Sequence, residues 1–95
     1  MHPLIESHRL QLRHLADRYG ARSLSVFGSM ARDETNENSD VDLLIEPGRA
    51  LSGFELGAFL MDAQELLNRR VDIVTLSALP PPLIRKRVLA EAIKL

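Results

Sequence analysis

The spacing of apolar residues changes several times along the chain between helical and strand-like patterns. Apolar residues at intervals of three and four predict helices, whereas alternation or a short apolar run between turn residues predicts a strand. The predicted elements, in order, are a helix over 4–19, a strand over 23–27, a short helix from Ser29 through Arg32, a strand over 41–45, a helix over 51–68, a strand over 70–76 and a helix over 83–95. This α-β-α-β-α-β-α order predicts an α/β (α+β) domain built on one sheet.

Capping and turn residues support these boundaries. Gly20 follows the first helix as a C-terminal cap. Ser52, with Glu55 three residues later, fits a capping box at the start of the long helix. The prolines at 80–82 separate the last strand from the last helix. Because no repeat or linker interrupts the pattern, we expect a single domain over residues 1–95.

Composition narrows the class of protein. Hydrophobic residues make up 45% of the 95 residues, which is typical of a globular chain. With 12 basic and 13 acidic residues the net charge is -1, so neither an anionic membrane nor direct nucleic-acid binding is expected. The chain has no cysteine and no apolar run approaching about 18 residues. We therefore expect a soluble cytoplasmic protein without disulfides or thiolate zinc sites.

Charge is unevenly distributed along the chain. Six acidic residues and no basic residue lie between Asp33 and Glu46, and three basic residues follow one another at 85–87. An acidic segment of this kind either forms a solvated face or neighbours a bound cation. The basic group is either a solvated helix face or a contact for a partner.

Three aspartates in this pattern could bind a metal. Asp40 and Asp42 are two residues apart along a predicted strand, so they project to the same face, while Val41 projects into the core. Asp72 occupies a similar apolar context and reaches the pair if the third strand lies beside the second. Carboxylate oxygens favour Mg²⁺ or Mn²⁺, and three carboxylates can hold the two metals used in phosphoryl displacement.

A glycine turn could supply a phosphate site beside these acids. Gly28 ends a predicted strand and lets the backbone approach a phosphate, and the helix start after it offers N–H groups. Ser29 adds a hydroxyl donor, and Arg32 adds a planar fork that pairs with phosphate oxygens. A phosphate cradle beside a metal site is typical of nucleoside triphosphate binding.

Each feature also has a simpler explanation when taken singly. Asp-x-Asp pairs and Gly-Ser turns are common, Asp72 could cap a loop, and Arg32 could be a solvated helix residue. The loop acids Asp33, Glu34 and Glu37 are expected only to face solvent. The three histidines, at six-residue spacing, share no helical face and do not predict a metal site. The combination of features carries the prediction.

Together these features resemble a known family. The segment "GSMARDETNENSDVDLLIE" is similar to the minimal nucleotidyltransferases of the DNA polymerase β superfamily, in which Gly-Ser is followed by ten residues and then Asp-x-Asp; here residues 30–39 are those ten. "RRVDIVTL" is similar to the strand of the third acid, and "LPPPLIRKRVLAEAIKL" to the last helix. The resemblance covers nearly the whole chain. It implies a small mixed sheet with helices packed mainly on one face, the polymerase-β-like nucleotidyltransferase fold.

The resemblance also implies roles for individual residues. Asp40, Asp42 and Asp72 would be the catalytic residues and ligate Mg²⁺, with two ions expected. The nucleotide, ATP, would be bound by Gly28, Ser29, Arg32 and Ser39. Family members often have glycine where this chain has Asp33, a difference that either weakens nucleotide binding or simply faces solvent.

The family resemblance further implies a partner and an activity. Minimal nucleotidyltransferases of this kind are typically encoded beside a HEPN-domain ribonuclease toxin and transfer AMP from ATP to a tyrosine hydroxyl of that toxin. We therefore expect an antitoxin enzyme in a hetero-oligomer. Two alternatives remain: a module that neutralises the toxin by contact without catalysis, and a nucleotidyltransferase for a small molecule, which would need a substrate domain that these residues do not supply.

Overall fold

A computed structural model of the chain describes residues 1–32, 34, 39–78 and 82–95. In these ranges four strands form one mixed sheet in the order β3-β2-β1-β4. The strands are β1 (Ala21–Phe27), β2 (Val41–Pro47), β3 (Val71–Thr75) and β4 (Ile93–Lys94). Strand β1 is antiparallel to β2 and to β4, whereas β2 and β3 are parallel. The predicted mixed α/β class is confirmed.

The same ranges contain five α-helices and one 3₁₀ turn; two of the helices precede β1, and the other elements connect the strands. The helices are α1 (Pro3–Ser7), α2 (Arg9–Arg18), α3 (Ser29–Arg32), α4 (Gly53–Leu67) and α5 (Pro82–Glu91), and the 3₁₀ turn is Leu76–Ala78. The predicted capping box at the start of α4 is confirmed. Ser52 Oγ accepts from the Glu55 amide at 3.1 Å, and Glu55 Oε1 accepts from the Ser52 amide at 3.2 Å.

The prediction of one helix over 4–19 is wrong, because the helix is broken at His8. The His8 ring nitrogen Nδ1 donates to the Leu4 carbonyl at 2.8 Å. In a continuous helix the His8 amide would use that carbonyl, but here the amide donates to Ile5 O at 3.2 Å instead. A side chain that competes for a backbone acceptor therefore separates α1 from α2.

The prediction of a helix over 83–95 is wrong at its end, because α5 stops at Glu91 and β4 follows. Ile93 and Lys94 pair with Val26 and Ser25 of β1, and the Leu95 amide donates to Leu24 O at 2.9 Å. This pairing covers an edge of β1 that would otherwise expose unpaired backbone groups. It also holds the last turn of α5 close to the end of β1.

The hydrophobic core lies on one face of the sheet, beneath α1, α2 and α4. Strand alternation places Leu24, Val26, Val41, Leu43 and Ile45 in this core, each 2% exposed or less. Helix α4 adds residues spaced four apart, and α1 and α2 add further buried aliphatic side chains: Phe59, Ala63, Leu67, Ile5, Leu12, Leu15 and Ala16. The expectation of helices packed mainly on one face is confirmed.

Helix α5 differs from the other long helices because it has no buried residue. Leu83 is 78% exposed, Ile84 50% and Leu89 46%. The longest helix in the described ranges is α4, with 15 residues. No helix in these ranges is long and apolar enough to cross a membrane.

Candidate active site

Two of the predicted acids lie side by side at one edge of the sheet. Strands β2 and β3 run parallel, and their register pairs Asp42 with Asp72. The Val41 amide donates to Arg70 O at 2.9 Å at the start of this pairing. Because Val41 and Leu43 are fully buried in the core, Asp42 points to the opposite face. The condition under which Asp72 can reach the other acids, that the third strand lies beside the second, is therefore met.

The third predicted acid, Asp40, lies just outside the strand. Strand β2 begins at Val41, so Asp40 is the residue that leads into it. It is partly exposed and close enough to raise the pKa of Asp42 electrostatically. The structure therefore brings all three acids to the same edge of the sheet, although Asp40 and Asp42 do not belong to one continuous strand.

The surroundings of Asp42 make the charged form of its carboxyl unfavourable. Burial raises the pKa of its carboxyl above the ordinary 3.8, and the neighbouring charges of Asp72 and Asp40 raise it further. Arg32 acts in the opposite direction, and Glu91 adds a smaller upward effect. Negative charge therefore exceeds positive charge around Asp42, which is the condition that a bound cation relieves.

Gly28 forms the turn that faces Asp42. Its φ is +72°, a left-handed conformation that L-residues with a side chain rarely adopt. A Cβ at this position would collide with Asp42 Oδ2. Only glycine therefore allows the backbone at the end of β1 to lie directly against this carboxylate. The predicted glycine turn and the predicted acids belong to one site.

Helix α3 continues from this turn as the sequence predicts, but it is only four residues long. The amides of Ala31 and Arg32 both donate to Gly28 O, at 3.1 and 3.2 Å. Two of the N–H groups at this helix start are therefore already used, and a four-residue helix has only a small dipole. Phosphate contacts in this segment would depend mainly on Ser29 and on the Arg32 side chain.

Ser39 lies at the entry to the acidic strand, two residues before β2. Its carbonyl accepts from Arg69 Nη1 at 3.3 Å. Because Arg69 shortly precedes β3, this bond ties the segment before Asp40 to the segment before Asp72. The fourth predicted nucleotide-binding residue therefore lies at the same edge of the sheet as the three acids.

Arg32 is held by two carboxylates. Its Nε donates to Glu34 Oε2 at 3.1 Å, and its Nη1 donates to Glu91 Oε1 at 2.5 Å. These two partners raise the pKa of the Arg32 guanidinium, which stays positively charged. The expectation that Glu34 only faces solvent is wrong, whereas Asp33 and Glu37 lie outside the described residues. Sequence reasoning missed Glu91, because no local motif marks an acid in the last turn of α5.

The donor set fits Mg²⁺ in its chemistry. Asp40, Asp42 and Asp72 offer only oxygen ligands, which hard divalent cations prefer. Among the residues that the structure describes, no three histidine or acidic side chains converge closely enough to form a metal cage. The structure therefore places oxygen donors near one another at the start of β2 and β3 without forming a closed cage.

Comparison with known proteins identifies the family to which this chain belongs. The model of the nucleotidyltransferase domain family matches residues 8–95, so the chain is a member of that family and an enzyme of the nucleotidyltransferase class. It is 39% identical over 93 residues to the protein adenylyltransferase MntA of Thermococcus cleftensis, covering 95% of this chain and 87% of that protein.

Solved structures agree with this assignment. A structure described as a minimal nucleotidyltransferase has a TM-score of 0.85 at 38% identity and covers 96% of this chain and 92% of that one. A toxin–antitoxin complex with AMP-PNP contains a chain with a TM-score of 0.77 at 17% identity, with 90% of this chain and 69% of that chain covered. At this lower identity the second likeness shows the fold only.

Proposed function

We propose that this chain is a protein adenylyltransferase that acts as the antitoxin of a HEPN-domain ribonuclease toxin. It transfers AMP from ATP to a tyrosine hydroxyl of the toxin, in the cytoplasm and within a hetero-oligomer. The name of the Thermococcus relative supports protein adenylylation. The toxin–antitoxin complex with AMP-PNP, which shares the fold, supports a toxin as the partner and ATP as the nucleotide. The observation that carries the proposal is the in-register Asp42–Asp72 pair facing the Gly28 turn.

The reaction exchanges one bond to phosphorus for another. The tyrosine oxygen attacks the α-phosphorus of ATP, an O–P bond forms, the bond between the α-phosphorus and the bridging oxygen breaks, and pyrophosphate leaves. Asp72, which is exposed at the sheet edge, accepts the hydroxyl proton. Its exposure suits a base that must reach a residue on another protein.

The remaining site residues bind and orient the nucleotide. Gly28 gives the triphosphate a close backbone approach, Ser29 donates a hydroxyl, and Arg32 contributes positive charge at the rim. Ser39 lies at the entry to the acidic strand. The three aspartates would hold two Mg²⁺ ions, which when bound stabilise the attacking and leaving oxygens.

A transfer assay with labelled ATP tests this mechanism. Asp72→Asn and Asp40→Asn should each lower transfer to the purified toxin by at least about 100-fold, in line with the loss of a metal ligand or a base. Asp17→Asn, an exposed carboxylate on α2, is the matched control and should leave transfer unchanged. Intact mass of the toxin should show AMP-sized additions with the wild-type chain. Full transfer by Asp72→Asn would refute the mechanism.

Exposure of α5 favours a second candidate function, neutralisation by contact. Leu83 and Leu89 are exposed, and Arg85, Lys86 and Arg87 have no ion pair within the described part of the chain. An apolar and basic helix surface of this kind can bind a partner and block it without any transfer of AMP.

The two functions differ in what abolishes neutralisation in cells. Catalysis requires that Asp40→Asn/Asp42→Asn fails to neutralise the toxin while still binding it. Contact alone requires that this double variant neutralises normally and that Leu83→Asp/Leu89→Asp fails. Both variants should be compared with the wild type for expression level and melting temperature.

A further inference from the structure

The inference concerns the last turn of α5, to which the family resemblance assigns no role in the site. Helix α5 has no buried residue, and yet Glu91 at its end is held against the site by Arg32. The Glu91 side chain is 29% exposed and that of Arg32 44%, so the pair is partly shielded from solvent. Strand β4 fixes the position of Glu91. It begins two residues after Glu91, at Ile93, and Ile93 pairs with Val26 near the end of β1.

The geometry of the guanidinium shows what this contact does. Glu34 takes Nε and Glu91 takes Nη1, so two of the three nitrogens of Arg32 are fixed from different directions. Among the described residues, none accepts a hydrogen bond from Arg32 Nη2. The guanidinium is planar, so fixing two nitrogens also fixes the direction in which the third one points. Arg32 is near enough to Asp42 to lower the pKa of that carboxyl, which places the guanidinium at the rim of the acidic site.

We propose that Glu91 is a positioning residue of the nucleotide site. It holds the Arg32 fork so that Nη2 is directed at the triphosphate of the bound nucleotide. The inference rests on the proposed function, because it requires that ATP binds beside Asp42. It assigns to the C-terminal end of α5 a role in nucleotide affinity, separate from any contact between the exposed face of α5 and a protein partner.

A competing effect of Glu91 has the opposite sign. Its negative charge repels the triphosphate, so its removal would strengthen binding if repulsion dominated. Repulsion across solvent is screened over roughly 8 Å at physiological salt, and Glu91 is already paired with a cation. Orientation of Arg32 acts through a direct hydrogen bond and is not screened in this way. The positioning effect should therefore dominate.

The experiment measures the affinity of the purified chain for Mg²⁺–AMP-PNP by calorimetry, without any partner protein. Glu91→Ala should weaken binding by about fivefold, the upper end of what a partly exposed ion pair contributes. Glu91→Gln keeps an oxygen acceptor in place and should weaken it less. Glu65→Ala removes an exposed carboxylate from α4 and is the charge-matched control, with no change expected.

A double-mutant cycle separates positioning from a structural role. In an Arg32→Ala background, Glu91→Ala should cause no further loss, because its target is absent. In the transfer assay Glu91→Ala should raise KM for ATP and leave kcat nearly unchanged, and its melting temperature should stay close to that of the wild type. An additive loss in the double variant would show that Glu91 does not act through Arg32.

Two further results would overturn the proposal in distinguishable ways. Equal or tighter nucleotide binding by Glu91→Ala and Glu91→Gln, with normal wild-type binding, would remove the inference and leave the proposed function intact. No binding of Mg²⁺–AMP-PNP by the wild-type chain would remove both, since there would be no nucleotide for Arg32 to meet.

Discussion

Replacing Asp42 by asparagine should make the metal-free protein more stable and abolish its activity. Asparagine has nearly the same shape but no charge, so it removes the repulsion between Asp42 and its register partner Asp72. Adjacent strands lie about 4.8 Å apart. Two unit charges at about 5 Å repel by about 0.8 kcal/mol in water and about 3 kcal/mol at an effective dielectric constant of 20.

The lower part of that range applies, because Asp72 is exposed and Arg32 offsets part of the repulsion. We therefore expect Asp42→Asn to raise the free energy of unfolding by about 1 kcal/mol at pH 7. For a domain of this size that corresponds to an increase in melting temperature of about 4–8 °C.

The pH dependence of this difference has a definite sign. Burial and neighbouring acids raise the pKa of Asp42 in the folded chain above the ordinary 3.8, so the folded chain holds this proton more tightly than the unfolded chain does. The wild type therefore loses stability relative to Asp42→Asn as the pH rises from about 3.8 through the raised value. Below about 3.8 the two proteins should converge.

Thermal unfolding followed by circular dichroism, in EDTA and in Mg²⁺ with nucleotide, measures both effects. Ligands that bind the folded state at about 100 times their Kd stabilise it by about 2.7 kcal/mol. The wild type should show such an increase, and Asp42→Asn should show much less. Asp17→Asn should match the wild type within about 0.5 kcal/mol in both buffers. A metal-free Asp42→Asn protein that melts below the wild type would refute the electrostatic reasoning.

Three other predictions concern the Gly28 turn and α4. Gly28→Ala should cost about 1–2 kcal/mol from its left-handed backbone and should also displace the Asp42 carboxylate, so the thermal shift with Mg²⁺–nucleotide should be lost; a normal shift would contradict the contact. Ser52→Ala removes half of the α4 capping box and should lower the unfolding free energy by about 1 kcal/mol in denaturant titrations without changing nucleotide affinity. The pKa of Glu55 is lowered to about 2 by Arg49 and the Ser52 amide, so its contribution to stability should disappear as the pH falls from about 4.5 to about 2, and Glu55→Gln should flatten the acid titration in that window.

Local patterns in the sequence predicted most of the fold. Periodicity and capping residues identified β1, β2, β3 and α4 to within about two residues. The break at His8 was not predictable from spacing, because it depends on one ring nitrogen taking the Leu4 carbonyl. Strand β4 was not predicted, because a segment of two residues is too short to show an apolar–polar alternation. Only its pairing with β1 defines it as a strand.

The site was predictable where its residues are close in sequence. Gly28 and Asp42 lie within one motif, and the spacing between them is enough to indicate a common site. The parallel pairing that places Asp72 beside Asp42 could be expected only from the family resemblance, because periodicity does not determine the order of strands in a sheet. The role of Glu91 could not be predicted from the sequence, because its partner Arg32 is 59 residues away. The ion pair depends on how the chain packs α5 and β4 against β1.

The alternation of β2 explains how a small domain can carry a repulsive site without losing its fold. Val41, Leu43 and Ile45 point into a core in which no described polar or charged side chain is buried. Asp42 points to the other face, where water and a cation can reach it. Because the stabilising contacts and the charged contacts lie on opposite sides of one strand, substitutions among the acids should change metal and nucleotide binding while leaving the core packed. Loss of activity in those variants can therefore be attributed to the site itself.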